Sequence, residues 1–433
     1  MRPVTLLWLS LHLLAQFGHS RRDKVNENLA WFWRLPDTDL PRSEQFNYVP
    51  RFLRISEESE HRFRTTFLHH VFGLTSNNKK RLWEAKQAKK VQPHYEGPFP
   101  CDLSQARSPL PPNNVNQLRP GDIDIVGAIG DSITAGNGIV ATNPSQVNTE
   151  NRGLSWSVGG QEDWRTYLTV PNILKMFNPN LFGYSLSDSY STHRNAQFNV
   201  AEIGAMSKDL VSMAKEVSKR IKNDPRTDLK NHWKLITIMM GSNDFCSDLC
   251  YSEVDKALER HREDLVTALS ILQRELPRTL VNLVIQPNLH VLTSGQYPIQ
   301  CNLLHLFLCP CLFASKYKSL QDDYEQLMRS WQVVEMEVSK MPQFRTKDFA
   351  VVPQMFTMDI KLPTLKSSRQ VDMNHMAPDC FHLSQRSHSL AANALWNNML
   401  EPTHNKSTNW TPAYQLIRCP SESSPYLFTW DNS

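Results

Sequence analysis

The chain has 433 residues, 40% hydrophobic and 21% charged, which is ordinary globular material with enough apolar residues for a sizeable core. A net charge of +4 is slight at this length and excludes the strongly basic profile of a nucleic-acid-binding protein. No stretch reaches the ~20 consecutive apolar residues of a membrane-spanning helix.

The first residues, MRPVTLLWLSLHLLAQFGHS, combine a basic start, an apolar run from Val4 to Leu14, and small residues at Gly18 and Ser20. That order reads as a secretory signal peptide over residues 1–20, and hence as secretion. Residues 21–96 form a basic segment rich in Arg, Lys, Trp and Phe, whose role the sequence leaves open. Within it, KKRLWEAKQAKK (Lys79–Lys90) predicts a basic helix, read as a solvated helix or linker in preference to a membrane-surface helix. Lys79-Lys80-Arg81 and Lys89-Lys90 are candidate processing sites. A Pro-rich stretch near Pro93–Pro98 marks a boundary, and residues 97–433 form the main domain.

From there strands and helices alternate. DIDIVGAIG is a strand, Lys208–Asn223 a helix, KLITIMMG a buried strand, and Glu253–Leu276 a long amphipathic helix. LVNLVIQP is a strand, Tyr324–Met341 a helix, DFAVVPQM a strand, and SHSLAANALWNNML a closing helix. The alternation predicts an α/β domain with a mainly parallel sheet. The tail from Glu401 to Ser433 is polar, with neither a transmembrane helix nor a lipid-anchor signal. Asn405-Lys-Ser and Asn409-Trp-Thr are glycosylation sequons.

The eight cysteines are Cys101, Cys246, Cys250, Cys301, Cys309, Cys311, Cys380 and Cys419. An even count in an oxidising compartment points to disulfides, with the connectivity open. Cys246 and Cys250 are close enough to close one small loop. Zinc is the competing reading, but Cys309-Pro-Cys311 lacks a zinc-ribbon spacer and has no matching pair nearby, so no metal is expected. CNLLHLFLCPCLF (Cys301–Phe313) crowds large apolar residues between three of these cysteines. It reads most simply as a buried disulfide-tied helix; the sharper readings are an acyl-chain groove or a lid at a lipid surface.

The chemistry concentrates at strand ends, where open α/β sheets build their sites. In VGAIGDSITAGNG (Val126–Gly138), Ser132 stands at the end of the first strand, without the Gly-x-Ser-x-Gly elbow of the α/β-hydrolases. A nucleophilic serine needs a base and an oxyanion hole. Asp379-x-x-His382 offers an imidazole with its own orienting carboxylate, while His375 and His388 stay open as alternatives. Gly204, just before a helix, offers a backbone N–H, and Asn243, just after a buried strand, offers a side-chain amide.

Gly130-Asp131-Ser132, Gly204, Gly241-x-Asn243 and Asp379-x-x-His382 together resemble the four blocks of the SGNH (GDSL) hydrolases. The resemblance implies a flavodoxin-like three-layer α/β/α domain that needs no metal or cofactor. It implies Ser132 as nucleophile and His382 as base, oriented by Asp379. The implied oxyanion hole is the backbone N–H of Ser132, the N–H of Gly204 and the side chain of Asn243. From about Phe99 onward, RGLSWSVGG, GSNDFCSDLC, APDCFHLS, ALWNNMLEP and CPSESSPYLF resemble the phospholipase B branch of that family. This implies hydrolysis of fatty-acyl esters in phospholipids and lysophospholipids, with transient contact to a membrane surface; the oligomeric state stays open. Ile133 and Ser242 stand where the family usually has leucine and glycine, and the side chain at 242 either narrows the hole or faces away. One repeat without an anchor suggests a secreted single-domain relative or a shortened form. A carbohydrate O-acetyl esterase of the same fold and a non-catalytic binding protein are the alternatives.

Overall fold

The computed structural model describes residues 78–250, 254–410 and 413–433. The expected signal peptide, and the basic segment as far as residue 77, lie outside the described residues. The principal elements are helix α1 (Asn78–Gln87), strand β1 (Ile123–Gly130), the short helix α2 (Ser132–Ala135), α3 (Val170–Phe177) and α4 (Leu210–Asn223). Then follow β2 (Trp233–Met239), α5 (Val254–Glu275), β3 (Thr279–Val284), α6 (Ile299–Leu308), α7 (Gln321–Ser339), β4 (Phe349–Gln354) and α8 (Gln385–Met399).

The four strands form one parallel sheet in the order β1-β2-β3-β4. Every strand residue is buried, as expected of a sheet covered on both faces. Consecutive residues serve opposite faces. Val126, Leu235, Leu280 and Val352 pack with α3 and α8, and their neighbours Ile125, Ile236, Val281 and Val351 pack with α4, α5 and α7. The result is the flavodoxin-like three-layer arrangement. Pro353 is accommodated because β4 lies at the sheet edge, where a missing N–H disrupts no ladder. Along the other edge, backbone from 198 to 202 runs beside β1: Ala128 N–H donates to Phe198 O, Val200 to Ala128 O, and Glu202 to Gly130 O.

Packing carries across the Pro-rich stretch near residue 93. Ala85 and Val91 are buried with Ile139, Leu154 and Tyr167, so the segment from Asn78 onward belongs to the same packed body as the sheet. Buried Gln92 exchanges hydrogen bonds with Gln385, its N–H donating to Oε1 at 2.8 Å and its own Oε1 accepting from Nε2 at 2.8 Å.

All eight cysteines are paired: Cys101–Cys419, Cys246–Cys309, Cys250–Cys311 and Cys301–Cys380. The small Cys246–Cys250 loop expected from spacing does not form. Cys246 lies in the helical turn Asp244–Asp248 after β2 and Cys250 just beyond it, and each reaches across to the Cys309-Pro-Cys311 turn instead. Asn405, in the first sequon, is exposed. Among the described residues no helix is long and apolar enough to cross a membrane.

Candidate active site

β1 ends in Gly130, and Asp131 caps the short helix that follows by accepting from Ile133 N–H at 2.9 Å. A Cβ at Gly130 would sit 2.5 Å from Thr134 Oγ1, so only glycine lets the chain turn this tightly. Ser132, buried, is the first residue of that helix. Its Oγ lies 2.8 Å from His382 Nε2, and His382 Nδ1 lies 2.5 Å from Asp379 Oδ2. The other carboxylate oxygen of Asp379 accepts the N–H groups of Phe381 and His382, at 3.1 and 3.0 Å. Serine, imidazole and carboxylate therefore form one hydrogen-bonded line, with the carboxylate fixed by its own loop.

The alternative histidines have other surroundings. His388 is buried, accepts Trp156 N–H at 3.3 Å, and is pushed down to about 3 by burial and by the charge of His382. His375 pairs with Asp372 at 3.4 Å. Burial opposes the charge of His382, but the charge and hydrogen bond of Asp379, with Asp131 behind them, raise its pKa above the usual histidine value. Burial also opposes the charge of Asp379, but His382 and the loop N–H groups hold it below the usual carboxylate range.

The edge backbone beside β1 carries Gly204 towards the serine. Gly204 adopts φ 73°, and a Cβ there would meet open space, so its glycine serves the left-handed backbone and not the packing. Among the described residues, no hydrogen bond takes up the N–H of Ser132 or of Gly204. Asn243 donates one amide hydrogen to Ala205 O at 2.9 Å, which fastens it beside the Gly204 loop. Asp244 accepts from Ser207 N–H at 3.1 and 3.2 Å, a second tie between the same two loops. The side chain of Ser242 faces inward. It is buried, accepts from Gln286 Nε2 at 2.6 Å, and lies against the Asp131 carboxyl, so of the two expectations for position 242 it faces away.

Three supporting groups escaped sequence reading. Arg152, fully buried, pairs with Glu150 at 2.8 Å and donates to Asn199 O and Ala201 O at 3.2 and 2.6 Å, holding the edge backbone that leads to Gly204. Asn199 donates to Thr134 O at 3.1 Å, joining that backbone to the helix of Ser132. Lys90 donates to Met373 O and Met376 O at 2.9 and 2.6 Å, bracing the loop before Asp379. Only Arg152 carried a signal, as a lone charge in the apolar, Gly-rich run RGLSWSVGG.

A parallel α/β/α domain with a serine-imidazole-carboxylate line at the carboxyl ends of its strands defines a class, the carboxylic ester hydrolases of SGNH type. The pattern of the family described as "GDSL-like Lipase/Acylhydrolase" matches residues 126–395, and the chain belongs to that family. It is 40% identical over 338 residues to "Phospholipase B1, membrane-associated" of Homo sapiens. It is 38% identical over 337 residues to the protein of the same name in Mus musculus. These alignments cover 77% and 76% of the chain, and the chain spans 23% of the length of each relative.

Proposed function

We propose that the chain is a secreted serine esterase that hydrolyses fatty-acyl ester bonds of phospholipids and lysophospholipids, using Ser132, His382 and Asp379. The observation that carries the reading is the 2.8 Å approach of Ser132 Oγ to His382 Nε2, in a chain similar to proteins named phospholipase B1. Ser132 Oγ attacks the acyl carbonyl carbon while its proton passes to His382 Nε2. Asp379 keeps Nδ1 protonated and stabilises the imidazolium. The carbonyl oxygen becomes an oxyanion, held by the N–H groups of Ser132 and Gly204 and the free amide hydrogen of Asn243. His382 returns the proton to the departing alcohol oxygen, the ester C–O bond breaks, and an acyl-serine remains. Water, deprotonated by His382, then releases the fatty acid and restores the serine. In this reading residues 1–20 direct secretion, residues 97–433 supply the catalytic domain and residues 78–96 pack onto it. The four disulfides support an oxidising destination.

The test is fatty-acid release from lysophosphatidylcholine, and acetate release from a short acetyl ester, by the secreted chain and by Ser132→Ala. The expected result is release from the lipid, falling by at least about 10³-fold in Ser132→Ala. Turnover of the acetyl ester alone would move the substrate to acetylated carbohydrate. Inactivity of the folded chain on both would sink the esterase reading.

A further inference from the structure

Helix α6 (IQCNLLHLFL) is largely apolar and carries no Asp, Glu, Lys or Arg. Its inward face is anchored, with Cys301 and His305 fully buried. Its outward face is bare. Ile299 is 84% exposed, Leu303 59%, Leu306 42% and Phe307 44%. Positions 299, 303, 306 and 307 follow helical spacing and so form a single stripe. Water-facing helix surfaces ordinarily carry charge, and scattered exposed leucines need no explanation, but four large apolar side chains on one ten-residue helix make a patch.

The chain segments next to this helix carry several exposed cations. Lys316 and Lys318 follow it, both exposed. Lys361, Lys366 and Arg369 lie on a second segment, also exposed. That segment joins the entrance to α6, because Val371 N–H donates to Gln296 O at 2.9 Å. Residues 294–320 and 360–371 hold these five cations and no Asp or Glu, with Asp322, Asp323, Asp359 and Asp372 just beyond their bounds. Leu320 and Leu365, in the same two segments, are also exposed.

The patch is tied directly to the candidate active site. Cys301 on α6 is bonded to Cys380, which immediately follows Asp379, and His305 Nε2–H donates to Cys380 O at 2.8 Å. Phe381, next along, packs edge-on against the ring of His382 with centroids 5.4 Å apart.

We propose that the outward face of α6, with its flanking lysines and arginine, docks the protein on an anionic phospholipid surface beside Ser132. An apolar stripe enters the acyl boundary while basic residues meet lipid headgroups, which is how interfacial helices bind. A second copy of the chain fits less well, since a two-fold contact would set the flanking cations against one another. The inference rests on the lipid-esterase reading for its purpose but not for its test.

Binding is measured with the full secreted chain carrying Ser132→Ala, by co-sedimentation with vesicles of phosphatidylcholine, with and without phosphatidylglycerol. The expected result is salt-sensitive binding that is stronger on the anionic vesicles. Leu303→Glu/Phe307→Glu should weaken it at least tenfold, and Lys316→Glu/Lys318→Glu should abolish the preference for phosphatidylglycerol. With Ser132 restored, Leu303→Glu/Phe307→Glu should hydrolyse a monomeric short-chain ester at the unmodified rate and vesicle lipid far more slowly. Undiminished vesicle binding by both variants overturns the proposal. So does a vesicle-free dimer that Leu303→Glu/Phe307→Glu converts to monomer. If vesicles bind but no ester is hydrolysed, the docking surface stands and the esterase reading fails.

Discussion

Burial alone would lower the pKa of His382, and the carboxylate of Asp379 reverses the outcome. A general base works only when neutral, so kcat/KM should rise with pH along an acid limb lying above 6.5, the ordinary histidine value. Asp379→Asn removes the main raising influence; the limb should move down and kcat fall by roughly 10⁴-fold. Asp131 gives a finer test. It is buried beneath the serine and its pKa is raised to about 6, chiefly by loss of solvation. A carboxyl raised from 3.8 to about 6 on folding contributes stability at low pH that is lost as pH climbs through that window. Asp131→Asn keeps the cap to Ile133 and removes the buried charge. It should raise the melting temperature above pH ~6 but not in strong acid, and shift the acid limb of kcat/KM downward. Thermal melts and a pH-rate profile of this variant check both signs.

At the level of elements, the site is a meeting of loops, each held by groups that touch no substrate. Asp244 bonds the 207 backbone to the turn after β2, and Asn243 bonds that turn to the 205 carbonyl. Asp244→Ala should therefore misplace both proposed oxyanion donors and lower kcat by about 10–100-fold with KM little changed, while Asp244→Asn, which keeps an acceptor, recovers most of it. Steady-state kinetics of the two variants separate positioning from general destabilisation. The Cys301–Cys380 bond acts on the other side, fixing the loop of Asp379 and His382 to α6. Strand and helix assignments for β1 to β4 and for α4, α5, α7 and α8 were legible from periodicity, since long buried strands and amphipathic helices imprint their spacing. α3 escaped because VPNILKMF spans only eight residues, about two turns, and carries a proline in its first turn, which reads as a turn or break and leaves too short a window for the period to register.

For the molecule as a whole, the termini of the described body are stapled together. Cys101 and Cys419 stand 318 residues apart, and the tail beyond places Leu427 in the core with its N–H on Leu118 O. Closing so long a loop removes much unfolded-state entropy, ~2–5 kcal/mol on the chain-entropy view. Cys101→Ser/Cys419→Ser should lower the melting temperature by several degrees while leaving ester hydrolysis at room temperature nearly intact. In Cys301→Ala/Cys380→Ala the order should reverse, with activity falling more than stability. Calorimetry and kinetics on the two pairs check the contrast.

The sequence by itself determined the elements and the chemical cast: a parallel α/β pattern, a serine at a strand end, an Asp-x-x-His step, and the glycine and asparagine of the proposed oxyanion hole. These are local, because strand, cap and turn chemistry is encoded in neighbouring residues. Only the tertiary structure decided which histidine meets Ser132, which cysteines pair, and that Ser242 turns inward. It also decided that Arg152, Asn199 and Lys90 brace the site, and that α6 leaves its apolar stripe bare. Each of these depends on contacts between residues far apart in the chain, and a buried bond partner or an uncovered face leaves no periodic trace in sequence.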